Sequence, residues 1–207
     1  MKDNRLKEQV LKNIRMALID KNAISDCDIH AKVGHTFINP GDDDLSVVFA
    51  KNFITAGGTL FYCFNESDIR NRIEEIQHRH NDIVIGCASE NLYNYLGHLN
   101  IDNRCVCEPT KRYPLGTILC EALLAWQGSI VISSNLGLGR TLPALPETTI
   151  VIAFTSQVVS DWESAHERLR LIYPTFPDQL VVTNPGGYSY KKEMHKLYLI
   201  LIEDETK

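Results

Sequence analysis

Between residues 121 and 154 the chain reads EALLAWQGSIVISSNLGLGRTLPALPETTIVIAF, and this stretch limits the fold more than any other. Two apolar runs, at 130–133 and 149–154, have strand length and are too short for independent helices. A polar loop with Asn135, Gly137, Gly139 and Arg140 joins them, closed by Pro143 and Pro146. Buried strands connected by small polar loops are typical of an α/β sheet, whose ligands bind beyond the carboxyl ends of the strands. A short apolar helix is expected just before Gly128.

The rest of the chain repeats the alternation. Strands are predicted at 59–64, 82–86, 104–107, 179–183 and 197–202. Helices are predicted at 45–56, 66–80, 89–96, 115–126 and 161–172. Ser89 and either Ser160 or Asp161 are expected as helix caps, because a side-chain oxygen there accepts from an orphan backbone N–H. Short apolar strands with helices between them predict an α/β fold with a mainly parallel sheet covered on both faces. The last two strands have no helix between them, so one antiparallel edge is expected. The predicted organisation is residues 1–44 as an N-terminal helix (3–21) with an irregular lead-in, then residues 45–207 as a single α/β domain.

Composition removes several classes of function. Twenty-one basic and 26 acidic residues give a formal net charge of −5. A chain of that balance with no basic block is unsuited to neutralising phosphates, so nucleic acid is not an expected partner. No run of about 18 apolar residues predicts a membrane span, and the charged N-terminus lacks the apolar core of a signal peptide. A cytoplasmic location is therefore expected. The six cysteines (Cys27, Cys63, Cys87, Cys105, Cys107 and Cys120) are scattered. That spacing suits reduced thiols better than a disulfide framework, and only Cys105 and Cys107 approach a ligand pair. No metal site is assigned, and neither H-x-x-x-H nor H-E-x-x-H occurs among the histidines.

The candidate ligand residues lie on loops at strand ends. Arg140 can clamp a carboxylate or phosphate through two parallel hydrogen bonds, or pair with a surface carboxylate. Ser129 can donate to an anion, while Gly128 beside it can equally serve tight packing. Asn135 begins the Arg140 loop. Gly186 and Gly187 follow an apolar run and can present backbone N–H groups as an anion nest or form a simple turn. No catalytic residue is assigned: G-x-S-x-G and G-x-G-x-x-G are both missing.

The segment 121–154, with 158–171 after it, resembles the LUD (lactate utilization) domain, in particular lactate utilization protein C. The shared features are Ala122 to Trp126 read as an alanine-rich helix, Gly128-Ser129, an apolar strand at 130–132, Arg140, Leu145-Pro146, a strand at 150–153, and Val158-Val159 before a helix. Phe49 and Gly57-Gly58 fit as well. The chain departs from the family at 184–195, where a Thr-Ala-Asp element is missing, and at Gln127, where threonine is common.

The resemblance implies a three-layer α/β/α fold like that of the ribose-5-phosphate isomerase and CoA-transferase group (NagB/RpiA/CoA transferase-like). It also implies an accessory role in cytoplasmic L-lactate oxidation to pyruvate. In that role this chain carries no cofactor, iron–sulfur clusters belong to partner proteins, and Arg140, Gly128, Ser129, Asn135, Gly186 and Gly187 surround a small anionic ligand. Two alternatives are a stand-alone enzyme on a small phosphorylated or CoA-linked substrate, and a binding or scaffold module with a degenerate pocket. Fold alone does not choose among them.

Overall fold

The computed structural model describes residues 44–87, 89–105, 114–136, 146, 148–185 and 196–204. The helix expected over 3–21 lies outside them. The first described helix, α1 (Leu45–Thr55), starts where expected. Asp44 caps it by accepting from Ser46 N at 2.8 Å, and Gly57, at φ +103°, follows its end. Strand β1 (Thr59–Cys63) leads into α2 (Glu66–Arg79), which Asn65 caps. Asn81 and Asp82, both at positive φ, then turn the chain. That turn delays β2 (Ile85–Cys87) to the end of the run expected at 82–86. Helix α3 (Glu90–His98) is capped by Ser89 as expected, and β3 (Asn103–Cys105) follows.

The segment 115–126 is not the predicted helix. It forms two strands, β4 (Leu115–Leu119) and β5 (Ala122–Leu124). Gly116, Thr117 and Ile118 weaken a helix locally. Ala122 to Leu124 have good helix propensity, but burial on both faces overrides it, and a wholly apolar run carries no period to separate the two states. The Ala122–Trp126 element of the resemblance is therefore β5 and a turn. Strands β6 (Ser129–Ser133), β7 (Thr148–Phe154) and β8 (Val158–Val159) follow. Helix α4 (Trp162–Ile172) has Asp161 as its cap. The chain continues through β9 (Leu180–Thr183) and β10 (Lys196–Ile202).

Among the described residues the main sheet has six strands in the order β1-β10-β7-β4-β2-β3, all parallel. Helices flank it, giving the three-layer α/β/α arrangement. One face packs on α2 and α3 through Ile69, Ile73, Ile76, Leu92 and Leu96. The other packs on α1 and on a second sheet, ordered β8-β5-β6-β9, through Phe49, Phe53, Leu123, Ile130 and Ile132. Helix α4 covers the far face of that second sheet with Ala165 and Leu169. The expected antiparallel edge is not on the main sheet. Strand β10 lies inside it, parallel to both neighbours. The antiparallel pairs, β5 with β6 and β6 with β9, belong to the second sheet. Six buried residues out of seven suit β10 to an interior parallel strand, which is covered on both faces.

Candidate functional site

All six parallel strands present their carboxyl ends on one edge. From β2 the chain continues outward to β3, whereas from β4 it moves the opposite way to β7. Adjacent strands whose connections diverge open a crevice at the carboxyl edge. Strand β4 ends beside that crevice and is followed by Cys120 and Glu121.

Glu121 is the chemical centre of the described edge. It is only 5% exposed. Its N–H donates to Val131 O at 2.8 Å, which fixes the backbone as β5 begins. Its Oε1 accepts from Ser133 Oγ at 2.5 Å and from Tyr173 OH at 2.8 Å. The backbone N–H of Asn135 in turn donates to Ser133 Oγ at 3.1 Å. Three elements thus meet on one carboxylate: the end of β4, the end of β6 and the residue after α4. Burial, and the hydrogen bond to Glu121, push the Tyr173 phenol up to about 12. Burial, then the charge of Glu121, also raises the Cys120 thiol. Gln157 Nε2 donates to Cys120 O at 2.6 Å. Ser134 Oγ is 1% exposed and makes no hydrogen bond among the described residues.

Chemically, a buried carboxylate held by two hydroxyls can accept a hydrogen bond from a ligand hydroxyl or hold a proton for it.

The sequence-predicted residues divide into three groups. Asn135 is exposed and sits at the Glu121 centre, through its backbone. Gly128 and Ser129 lie at the opposite end of β6, where four steps of about 3.3 Å separate Ser129 from Ser133 by about 13 Å. Gly128 stands at φ +58°, and a Cβ there would fall 2.4 Å from Phe53 N and 2.6 Å from Asn52 C. It lets the β5–β6 turn lie against α1, where Asn52 Nδ2 donates to Ala125 O at 2.9 Å and Trp126 O at 3.0 Å. Ser129 is 2% exposed. Arg140, Gly186 and Gly187 lie outside the described residues.

Sequence reasoning missed Glu121, Ser133 and Tyr173. Glu121 had a readable signal: a lone carboxylate inside the apolar run Leu119-Cys120-Glu121-Ala122-Leu123 must be buried, and a buried carboxylate needs partners. Tyr173 is 52 positions away and carried none.

Among the described residues no group of three or more His, Cys, Asp or Glu is placed to hold a metal ion. His166 lies between the rings of Trp162 and Phe176, and His80 packs edge-on to Tyr198. No described helix is long and apolar enough to cross a membrane.

Comparison with known proteins bears on this same region. Residues 113–180 match the LUD domain. No curated protein matches the chain. Among solved structures the chain is similar to a DUF162 family protein from Deinococcus radiodurans, at 15% identity and a TM-score of 0.57, over 76% of this chain and 96% of that one. At that identity the likeness is one of fold. The matched segment, residues 113–180, contains Glu121, Ser133, Asn135, Arg140 and Tyr173, and the fold around it is similar to that of the DUF162 family protein.

Proposed function

We propose that this chain is an accessory component of cytoplasmic L-lactate oxidation to pyruvate, working with iron–sulfur partner proteins and holding a small anion at the carboxyl edge. The LUD-domain match carries this reading, because the domain's name ties it to lactate utilization and residues 113–180 hold the whole Glu121 centre. Arg140, on the loop after Asn135, supplies the positive charge for the ligand's carboxylate. Glu121, kept in place by Ser133 and Tyr173, accepts from the ligand's hydroxyl. A 2-hydroxy acid offers that pair of groups.

The iron–sulfur clusters belong to the partners in this reading. Of the four described cysteines, Cys63, Cys87 and Cys105 are the last residues of β1, β2 and β3 and Cys120 follows β4, and only Cys87 and Cys105 are register partners. Those donors do not make a four-thiolate cage.

The test is purification of the tagged chain from its native cells grown on L-lactate, followed by identification of what accompanies it and assay of iron and lactate-dependent dye reduction. The expected result is co-purification with iron–sulfur proteins and an activity that Arg140→Ala abolishes. An iron-free protein with no partner would overturn the accessory reading in favour of a separate enzyme on a phosphorylated or CoA-linked substrate. Activity unchanged in Arg140→Ala would remove the ligand assignment.

A further inference from the structure

Two cysteines that the Glu121 centre does not use stand together at the carboxyl edge of the main sheet. Cys87 is the last residue of β2 and Cys105 the last of β3, and the two are register partners in a parallel pair. Register partners point to the same face of a sheet. Adjacent strands lie about 4.8 Å apart, inside the roughly 4.4–6.8 Å Cα separation that a disulfide spans. Both residues are thiols here. Cys87 is fully buried, while Cys105 is half-buried and can be reached from solvent. Cys87 Sγ donates to Asn103 Oδ1 at 3.6 Å, and Asn103 is itself anchored through Nδ2 to Ile101 O at 2.8 Å. An accessible thiol with a buried one behind it is the arrangement of a reacting and a resolving cysteine.

We propose that Cys87 and Cys105 form a peroxide-sensitive dithiol, which a hydroperoxide converts to a disulfide joining the last residues of β2 and β3. The Cys105 thiolate attacks the terminal peroxide oxygen, the O–O bond breaks, and the leaving oxygen takes up a proton and departs as water from hydrogen peroxide or as an alcohol from an organic hydroperoxide. Cys105 is then a sulfenic acid. Cys87 Sγ gives up its proton, leaves Asn103 and attacks Cys105 Sγ. The S–S bond forms, the S–O bond breaks, and hydroxide leaves with that proton as water. The two thiols are oxidised by two electrons and the peroxide is reduced by two. Burial, with Cys105 nearby, pushes the Cys87 thiol up to about 12, so the second step is slow at neutral pH and accelerates as pH rises.

The inference stands apart from the proposed function and is tested on the full-length chain alone. The reduced protein is treated with hydrogen peroxide, alkylated with N-ethylmaleimide, digested and mapped by mass spectrometry. The expected product is a cross-linked pair of peptides carrying Cys87 and Cys105, lighter than their sum by two hydrogens and released by dithiothreitol. Cys63 and Cys120, both buried, should remain reduced. In Cys87→Ser, Cys105 should instead be trapped by dimedone as the sulfenic acid. In Cys105→Ser, at the more tolerant half-buried position, Cys87 should stay reduced. Recovery of both cysteines alkylated, or a bridge from Cys105 to any other cysteine, would overturn the proposal.

Discussion

Gly128 distinguishes packing from ligand binding, because the structure gives it a close backbone neighbour that an added carbon cannot avoid. Gly128→Ala would place a Cβ 2.4 Å from Phe53 N, 2.6 Å from Asn52 C and 2.7 Å from Phe53 Cα. All three are helix backbone atoms, which cannot rotate aside. The left-handed conformation at φ +58° costs about 1–2 kcal/mol for a residue with a Cβ. Forcing the turn off α1 costs about 1–3 kcal/mol as overpacking. The two Asn52 hydrogen bonds to Ala125 O and Trp126 O stretch in the process, at about 1 kcal/mol each. The sum is about 4–7 kcal/mol, a large part of the roughly 5–15 kcal/mol that holds a domain together.

Gly97→Ala is the control. Nothing lies within 4 Å of a Cβ there, the residue is inside α3 and its φ is not positive, so a gain of about 0.5–1 kcal/mol is expected. Equilibrium urea unfolding of both variants measures the difference. A Gly128→Ala protein within about 1 kcal/mol of the parent would refute the argument from close approach. If that protein also lost a ligand which the parent binds, the anion-site role of Gly128 would be restored.

Tyr173→Phe and Ser133→Ala each remove one hydrogen bond to the buried Glu121 carboxylate and should each cost about 1.5–3 kcal/mol in urea unfolding. Ser133→Ala should be the more costly, because Asn135 N also loses its acceptor. The double variant should depart from additivity, since both bonds converge on one oxygen; simple addition would show that the two hydroxyls act separately. Stability should also fall in alkali. Burial, then the Asp68 charge, raises the Cys63 thiol to about 11 in the folded chain, and Tyr173 stands near 12. A raised folded pKa stabilises below the unfolded value and loses that contribution as pH climbs to the folded one. For Cys63 the loss runs from about pH 9 to about pH 11, and for Tyr173 from about pH 10 to about pH 12. Urea midpoints measured across this range should decline, and Cys63→Ala should flatten the lower part; an unchanged decline in that variant would reject the assignment.

What the sequence determined by itself was local and periodic. Ser89 was readable as a helix cap, and the fourth helix start was narrowed to Ser160 or Asp161, because a cap is a short-range hydrogen bond between near neighbours. The apolar runs at β7 and β10 were readable because an interior parallel strand is buried on both faces and needs little but apolar side chains, and β6, buried along its whole length, reads the same way. Together they were enough for the α/β class.

Only the tertiary structure decided the rest. Residues 115–124 became strands because each side of that stretch met a packed layer, a condition no local preference encodes. β10 entered the sheet between β1 and β7, although β1 is more than 130 residues earlier in the chain. Gly128 proved to be a contact with α1 rather than the end of a helix, since its neighbour is Phe53. The Glu121 centre formed from residues 12 and 52 positions apart, and the Cys87–Cys105 pair from two strand ends. A site of this kind depends on distance in space, and the chain's own order does not record which strands will lie side by side.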